Sequence, residues 1–182
     1  MKKFEEKTIS TENIFQGRII QLDVDTVSLP NGHTSKRELV RHPGAVAVIA
    51  LTKEGKLLLV EQYRKPLEKS IVEIPAGKLE EGEKPEVTAR RELEEETGYT
   101  TDELTWVNSF YTSPGFADEL VHIYFTDNIR PLKEAIGTDE DEFVELLELT
   151  LEETEQLEKE QRVHDVKTSY ALLFLKLKNK NI

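Results

Sequence analysis

"GKLEEGEKPEVTARRELEEETGY", residues 77–99, decides how the rest of the chain is read. It holds eight glutamates, three of them consecutive, against four basic residues. Pro85 suits a first helical turn and Gly98 the position just past a helix end, so the spacing predicts a helix over 85–97. At about 100° per residue, with Ala89 set at zero, Leu93 falls at about 40°, Glu96 at about 340° and Glu92 at about 300°. Ala89 and Leu93 therefore mark a buried stripe, and Glu92 and Glu96 flank it. Glu95 lies further round, and Glu94 faces away. Glu92 and Glu96 are one turn apart, so their carboxylates can converge on one point. Partly desolvated carboxylates this close raise one another's pKa, and a divalent cation reverses that penalty. The plainer alternative is a solvated acidic face, which is what most glutamate runs are.

The whole chain sets bounds on that reading. Its 182 residues suit one domain, or one domain with an extension. A composition of 37% hydrophobic and 33% charged residues is that of a globular protein. Without cysteine, disulfides, thiolate nucleophiles and cysteine zinc sites are excluded. The net charge of −12 repels nucleic acid phosphates and leaves room for a small phosphate ligand bridged by cations. No apolar run is long enough to span a membrane, and "MKKFEEKTIS" has no signal-like apolar stretch, so no membrane partner and a cytoplasmic location are expected. The histidines His33, His42, His122 and His164 show no metal-ligand spacing, and only His42 falls among the substrate-site candidates.

Around the helix the pattern is strands first and helices last. Alternation along Ile20, Leu22, Val24, Val27 and Leu29, closed by Asn31-Gly32, predicts a hairpin. Strands follow at 45–51, 56–62 and in "SIVEIPAG", then, after the helix, in "LTWVNSFYTS", "ELVHIYFTD" and "EFVELLELT". "LEETEQLEKEQ" and "DVKTSYALLFLKLKN" read as helices, the second with Ala171, Phe174 and Leu175 as core positions. This order predicts a layered α/β (α+β) domain. Residues 1–42 read as a β-rich region and 43–182 as the main domain.

From Gly77 to Tyr99 the fixed positions Gly77, Glu83, Arg91, Glu92, Glu95, Glu96 and Gly98 spell G-x5-E-x7-R-E-Leu-x-E-E-x-G-Tyr. This resembles the Nudix box of the Nudix hydrolases, departing only in the aromatic Tyr99 at a bulky apolar position. The resemblance implies an α/β/α sandwich with a mixed sheet. It also implies hydrolysis of a nucleoside diphosphate derivative with Mg2+, or Mn2+. By position, Glu92, Glu96 and the backbone carbonyl of Ala76 look like metal ligands, and Glu95 like a further ligand or water holder. An ion pair between Glu83 and Arg91 is expected to clamp loop to helix.

Pro114 in "YTSPGFADE", with "KRELVRHPGAVAVIAL", "LLLVEQYRKPL" and "VEIPAGK", resembles the ADP-ribose pyrophosphatase subgroup. The simpler reading of Pro114-Gly115 is an ordinary turn. Carried over by position, Arg37, Glu38, Arg41 and Arg64 look like substrate contacts, arginine forks being suited to pyrophosphate. Ser113, Pro114, Gly115 and Glu119 would line the ribose and phosphate side. The base is expected outside the helix, in "GTDEDEFVE": by resemblance Glu140 is the base and Glu142 a metal or water contact, the alternative being a solvated acidic loop. Members of this type resemble homodimers in which N-terminal strands reach across to complete the adenine site, with Arg18 and Ile19 as candidates. The expected reaction is ADP-ribose to AMP and ribose 5-phosphate. Other nucleotide sugars, NADH, or a non-catalytic ADP-ribose sensor are the alternatives. A sensor is expected to lose box glutamates, and none is lost here.

Overall fold

The alternating segments form strands in chain order. In the computed structural model, which describes residues 3–134, 136 and 143–180, two compact units emerge. One comprises residues 1–44 and 110–121, the other residues 45–109 and 122–182.

The first unit is built on an antiparallel sheet of β1 (Lys7–Gln16), β2 (Gln21–Ser28) and β3 (Thr34–Arg41), in the order β1-β2-β3. The β2–β3 hairpin turns at the expected Asn31-Gly32, where Gly32 takes a φ of 85° that only glycine adopts at no steric cost. Two features depart from the sequence reading. β1 is an added strand, exposed at every position, whose mostly polar sequence carries no buried face to signal it. On β2 the buried positions are Asp23, Asp25 and Val27, whereas Leu22 and Val24 are only half-buried. Side chains of β1 explain this. Thr8 and Thr11 donate hydroxyls to Asp25 at 2.9 and 2.7 Å, and the Asn13 amide donates to Asp23 at 2.9 Å. The segment 110–121 joins this unit through Val40, which donates its N–H to the Phe116 carbonyl and accepts from the Asp118 N–H.

The second unit carries β4 (Ala45–Ala50), β5 (Leu57–Arg64), β6 (Lys69–Glu73), β7 (Ala76–Lys78) and α1 (Pro85–Thr97). There follow β8 (Tyr99–Thr101), β9 (Thr105–Tyr111), β10 (Leu120–Thr126), β11 (Ile129–Pro131), β12 (Val144–Leu149), α2 (Leu151–Lys159) and α3 (Val166–Lys180). β9 and β10 each run on into residues of the first unit. The sheet orders are β7-β4-β10-β9, β12-β5-β6 and β11-β8. β4 reads as an unbroken apolar run because both of its faces are buried. Val46, Val48 and Ala50 pack with Tyr124 against Ala89 and Leu93 of α1. The next residue on β10, Phe125, points the other way and meets Phe174 of α3 at 5.5 Å between ring centres. Helices therefore cover opposite faces of the strands, the layered α+β arrangement expected. In α3 the buried stripe is Thr168, Ala171, Leu172 and Leu175. Phe174, expected in the core, is half-buried at its edge, and Leu172 is fully buried in its place. Thr150 and Glu153 close a reciprocal capping box at the start of α2. Among the described residues no helix is long and apolar enough to cross a membrane.

Candidate active site

α1 starts and stops where the sequence places it. Pro85 opens it, and Gly98, at φ 70°, ends it by donating its N–H to the Glu94 carbonyl at 3.0 Å. Ala89 and Leu93 are wholly buried, and Glu92 and Glu96, on the flank of the same face, are 8% and 7% exposed. Opposite them runs the segment Pro75–Lys78. It is tied to β4 by the Val48 N–H to Pro75 carbonyl bond and by the pairings Ala47↔Ala76 and Val46↔Gly77.

Gly77 is the tightest fit in the site. A methyl group there would lie 1.9 Å from the Glu92 carboxyl carbon and 2.1 and 2.3 Å from its oxygens. Only glycine leaves space for that carboxylate against the strand. One residue earlier, the Ala76 N–H donates to Glu96 Oε2 at 2.9 Å. The backbone of β7 thus forms a cradle for both buried glutamates.

Arg91 organises the remaining charge. One of its Nη atoms lies 2.9 Å from Glu92 Oε1 and 2.9 Å from Glu95 Oε2, and the other lies 3.3 Å from Glu83 Oε2. Burial works against its charge. The carboxylates of Glu83, Glu92 and Glu95 outweigh that and hold the guanidinium above the ordinary arginine value. Glu83 also accepts the Thr88 hydroxyl at 2.7 Å. That bond, assisted by Arg91 and opposed by partial burial, lowers its pKa. The loop-to-helix clamp expected from the sequence is present. Glu94 faces away and accepts the Thr100 hydroxyl at 2.5 Å.

This donor set suits a hard divalent cation: the ligating atoms are all oxygens, two of the carboxylates are buried, and Gly77 clears space around one. Among the described residues no three acidic, histidine or cysteine side chains close into a ready-made cage. In this structure Arg91 is the cation between Glu92 and Glu95.

Arg64, at the end of β5, donates Nε to Glu73 at 2.6 Å. Glu73 has one signal in the sequence, a lone acid inside the apolar strand "SIVEI". Glu140 and Glu142, with Asp139 and Asp141, lie outside the described residues.

Within the first unit, the register Gln16↔Gln21↔Arg41 places the β1–β2 bend, with Arg18 and Ile19, at the same end of the sheet as Arg41. Arg41 pairs with Asp118 at 3.1 Å and approaches Asp23 at 3.7 Å. Ser113-Pro114-Gly115 forms a turn, its Ser113 carbonyl accepting from the N–H groups of Phe116 and Ala117. Glu119 accepts the Thr112 hydroxyl at 2.5 Å and faces His42 Nδ1 at 3.8 Å. Arg37 departs from the group: Glu6 binds its guanidinium at two points, 2.6 and 2.8 Å. Glu38, next to it on β3, is exposed.

Known proteins resemble this chain at the level of domain family, sequence and fold. Residues 41–171 match the NUDIX domain, and residues 6–40 match the nucleoside diphosphate sugar hydrolase N-terminal domain. The chain is 64% identical to the methanol dehydrogenase activator of Bacillus methanolicus, over 97% of this chain and 95% of the relative. It is 60% identical to the ADP-ribose pyrophosphatase of Bacillus subtilis, over 98% and 96%. The crystal structure of an ADP compounds hydrolase superposes with a TM-score of 0.83 at 20% identity, covering 97% of this chain and 95% of the other, which bears on the fold alone.

Proposed function

This chain belongs to the NUDIX domain family, and we propose that it hydrolyses the pyrophosphate bond of ADP-ribose, releasing AMP and ribose 5-phosphate. One water is consumed, adding to one phosphorus as the bridging P–O bond breaks. The observation that carries the chemistry is the cradle that Gly77 and Ala76 form around buried Glu92 and Glu96. The substrate is inferred from the Bacillus subtilis relative.

Glu92, Glu96 and the Ala76 carbonyl, with Glu142, are the proposed holders of Mg2+ or Mn2+. Such an ion, when bound, supplies Lewis-acid polarisation of the pyrophosphate oxygens and of the attacking water. Arg91 aims Glu92 and Glu95, and Glu95 holds the water. Glu140 takes the proton of that water, so Glu140→Gln is expected to lower kcat more than it raises KM. Arg64 presents its fork to the pyrophosphate. Arg41, Ser113, Pro114, Gly115 and Glu119 are proposed for the ribose and phosphate side, and Arg37 and Glu38 as further substrate contacts. Arg37 then exchanges Glu6 for substrate.

The reading includes a homodimer in the cytoplasm. Support for the dimer comes from β1, which is exposed throughout and offers Ile9, Ile14 and Phe15 to solvent. Residues 1–42 are its proposed pairing region, with Arg18 and Ile19 of one copy serving the adenine site of the other. Light scattering on the purified chain tests the stoichiometry.

The decisive assay incubates the chain with ADP-ribose and Mg2+, beside NADH and a GDP-sugar, and separates the products. AMP and ribose 5-phosphate, formed fastest from ADP-ribose and absent in EDTA, are expected. Glu96→Gln is expected to lower kcat on the order of 10²–10³-fold while keeping the fold, since glutamine still accepts from Ala76. Faster turnover of another compound would overturn the substrate, and turnover in EDTA would overturn the metal. Activation of a dehydrogenase is a second reading, favoured by the 64% identity to the Bacillus methanolicus relative. Addition of wild-type and Glu96→Gln chains to a methanol dehydrogenase assay tests it.

A further inference from the structure

A carboxylate in the middle of an apolar strand needs a reason, because an unpaired buried charge costs several kcal/mol, roughly. Glu73 is 3% exposed between Val72 and Ile74, both wholly buried. Two cations hold it. Arg64 Nε from β5 meets Oε2 at 2.6 Å, and Lys167 Nζ from the first turn of α3 makes a close contact with Oε1. Lys167 also meets Asp165 Oδ1 at 2.9 Å. That same oxygen caps α3, accepting the N–H groups of Lys167 and Thr168 at 3.1 and 3.2 Å. The result is a four-charge chain, balanced in sign, running Asp165–Lys167–Glu73–Arg64.

The chain is asymmetric. The side chains of Glu73, Lys167 and Asp165 are 4%, 14% and 16% exposed, and Arg64 is 37% exposed. Arg64 is fixed through Nε, and among the described residues neither Nη has a hydrogen-bond partner. A guanidinium held this way is pre-oriented, with both Nη groups left to grip a phosphate. The same turn of α3 also holds the backbone: the Ile74 N–H donates to Thr168 Oγ1 at 2.9 Å, both groups buried. Ile74 lies two residues before Ala76, whose N–H meets Glu96. One helical turn, distant in sequence, thus registers both the arginine and the glutamate cradle.

We propose that Lys167, acting through Glu73, is a positioning residue that aims Arg64 at the pyrophosphate of the substrate. Lys167 does not itself touch substrate. The inference rests on the pyrophosphatase reading, which supplies the ligand of Arg64. It predicts a defect in substrate capture that exists only while Arg64 is present.

The test is a double-mutant cycle. Lys167→Met is expected to raise KM for ADP-ribose about tenfold and to change kcat less than about twofold, the loss of roughly one oriented hydrogen bond. Lys167→Arg is expected to restore KM. In an Arg64→Ala background, Lys167→Met is expected to add nothing, because the residues act as one unit. Should Lys167→Met not fold, Lys167→Met with Glu73→Gln removes the uncompensated charge and is measured instead. Equal losses with and without Arg64, or an unchanged KM, would overturn the proposal. If the wild type does not turn over ADP-ribose, the pyrophosphatase reading fails by itself. The cycle is then read as ADP affinity by calorimetry. A loss confined to chains containing Arg64 supports the relay, and no binding of ADP by wild type overturns it.

Discussion

Among the described residues, β2 and α1 each bury a pair of carboxylates, and they satisfy them in different ways. On β2, Asp23 and Asp25 are 4% and 6% exposed, and their oxygens accept from short neutral side chains: Thr8, Thr11, Asn13 and Gln21. The Asn13 and Gln21 amides, aided by Arg41 and opposed by burial, lower the Asp23 pKa. In α1, Glu92 and Glu96 are nearly as buried, and their surroundings include a glycine with no side chain, a backbone N–H and an arginine shared with other carboxylates. The first arrangement spends the acids on holding an exposed strand to its neighbour. The second seats one acid where Gly77 has no side chain and ties the other to the backbone of β7. Burial and charge are alike in both, so the difference in partners is what the proposed roles, structural on β2 and functional in α1, rest on.

Gly77→Ala should break the comparison most sharply. The added methyl meets the far end of the Glu92 side chain rather than backbone, so the carboxylate swings away while the fold survives. Turnover is expected to fall about 100-fold, the scale of losing one transition-state contact, with stability changed by less than about 1.5 kcal/mol. Steady-state kinetics and a thermal melt on one sample check both halves. Wild-type turnover would show that Glu92 is as structural as Asp25.

Asp25→Ala is the converse. It removes the acceptor of the Thr8 and Thr11 hydroxyls, so amide exchange in β1 is expected to speed up about tenfold, the equivalent of one ordinary hydrogen bond. Exchange mass spectrometry resolved to residues 7–16 reads this. The melting of the second unit should stay unchanged.

The smallest effect concerns acid. Glu83 has its pKa lowered by the Thr88 hydroxyl and Arg91, below an ordinary value of 4.5. A carboxylate whose folded pKa is depressed contributes stability above its unfolded pKa and loses it as pH falls through the folded one. Wild type should therefore melt about 2–4 °C above Glu83→Gln near neutral pH, the scale of one partly exposed pair. The gap should close below pH of about 4.5. A gap that persists in acid would remove ionisation of Glu83 from the clamp.

Much of this was legible from local sequence. The ends of α1, its buried stripe and the Glu83–Arg91 pair all lie within about four helical turns of one another, where period and capping decide position. β1 was not legible, because its apolar residues Ile9, Ile14 and Phe15 do not alternate and the strand has no buried face to display. The burial of Asp23 and Asp25 was hidden for a related reason: alternation marks two faces of β2, and only the donors on β1 select the acidic one. Val40 pairing with Phe116 and Ala117 gathers segment 110–121 into the first unit, and nothing in either segment announces the other. Glu73 and Lys167 stand 94 residues apart.

The sequence by itself determined the helix, the order of its charges and the family, because these depend on spacing along one element. Only the tertiary structure decided which glutamates meet the glycine of β7, which acids of β2 are spent on strand pairing, and which lysine shares Glu73 with Arg64. Those choices depend on chain segments brought together by packing, where a hydrogen bond of about 3 Å selects partners that no local period can encode.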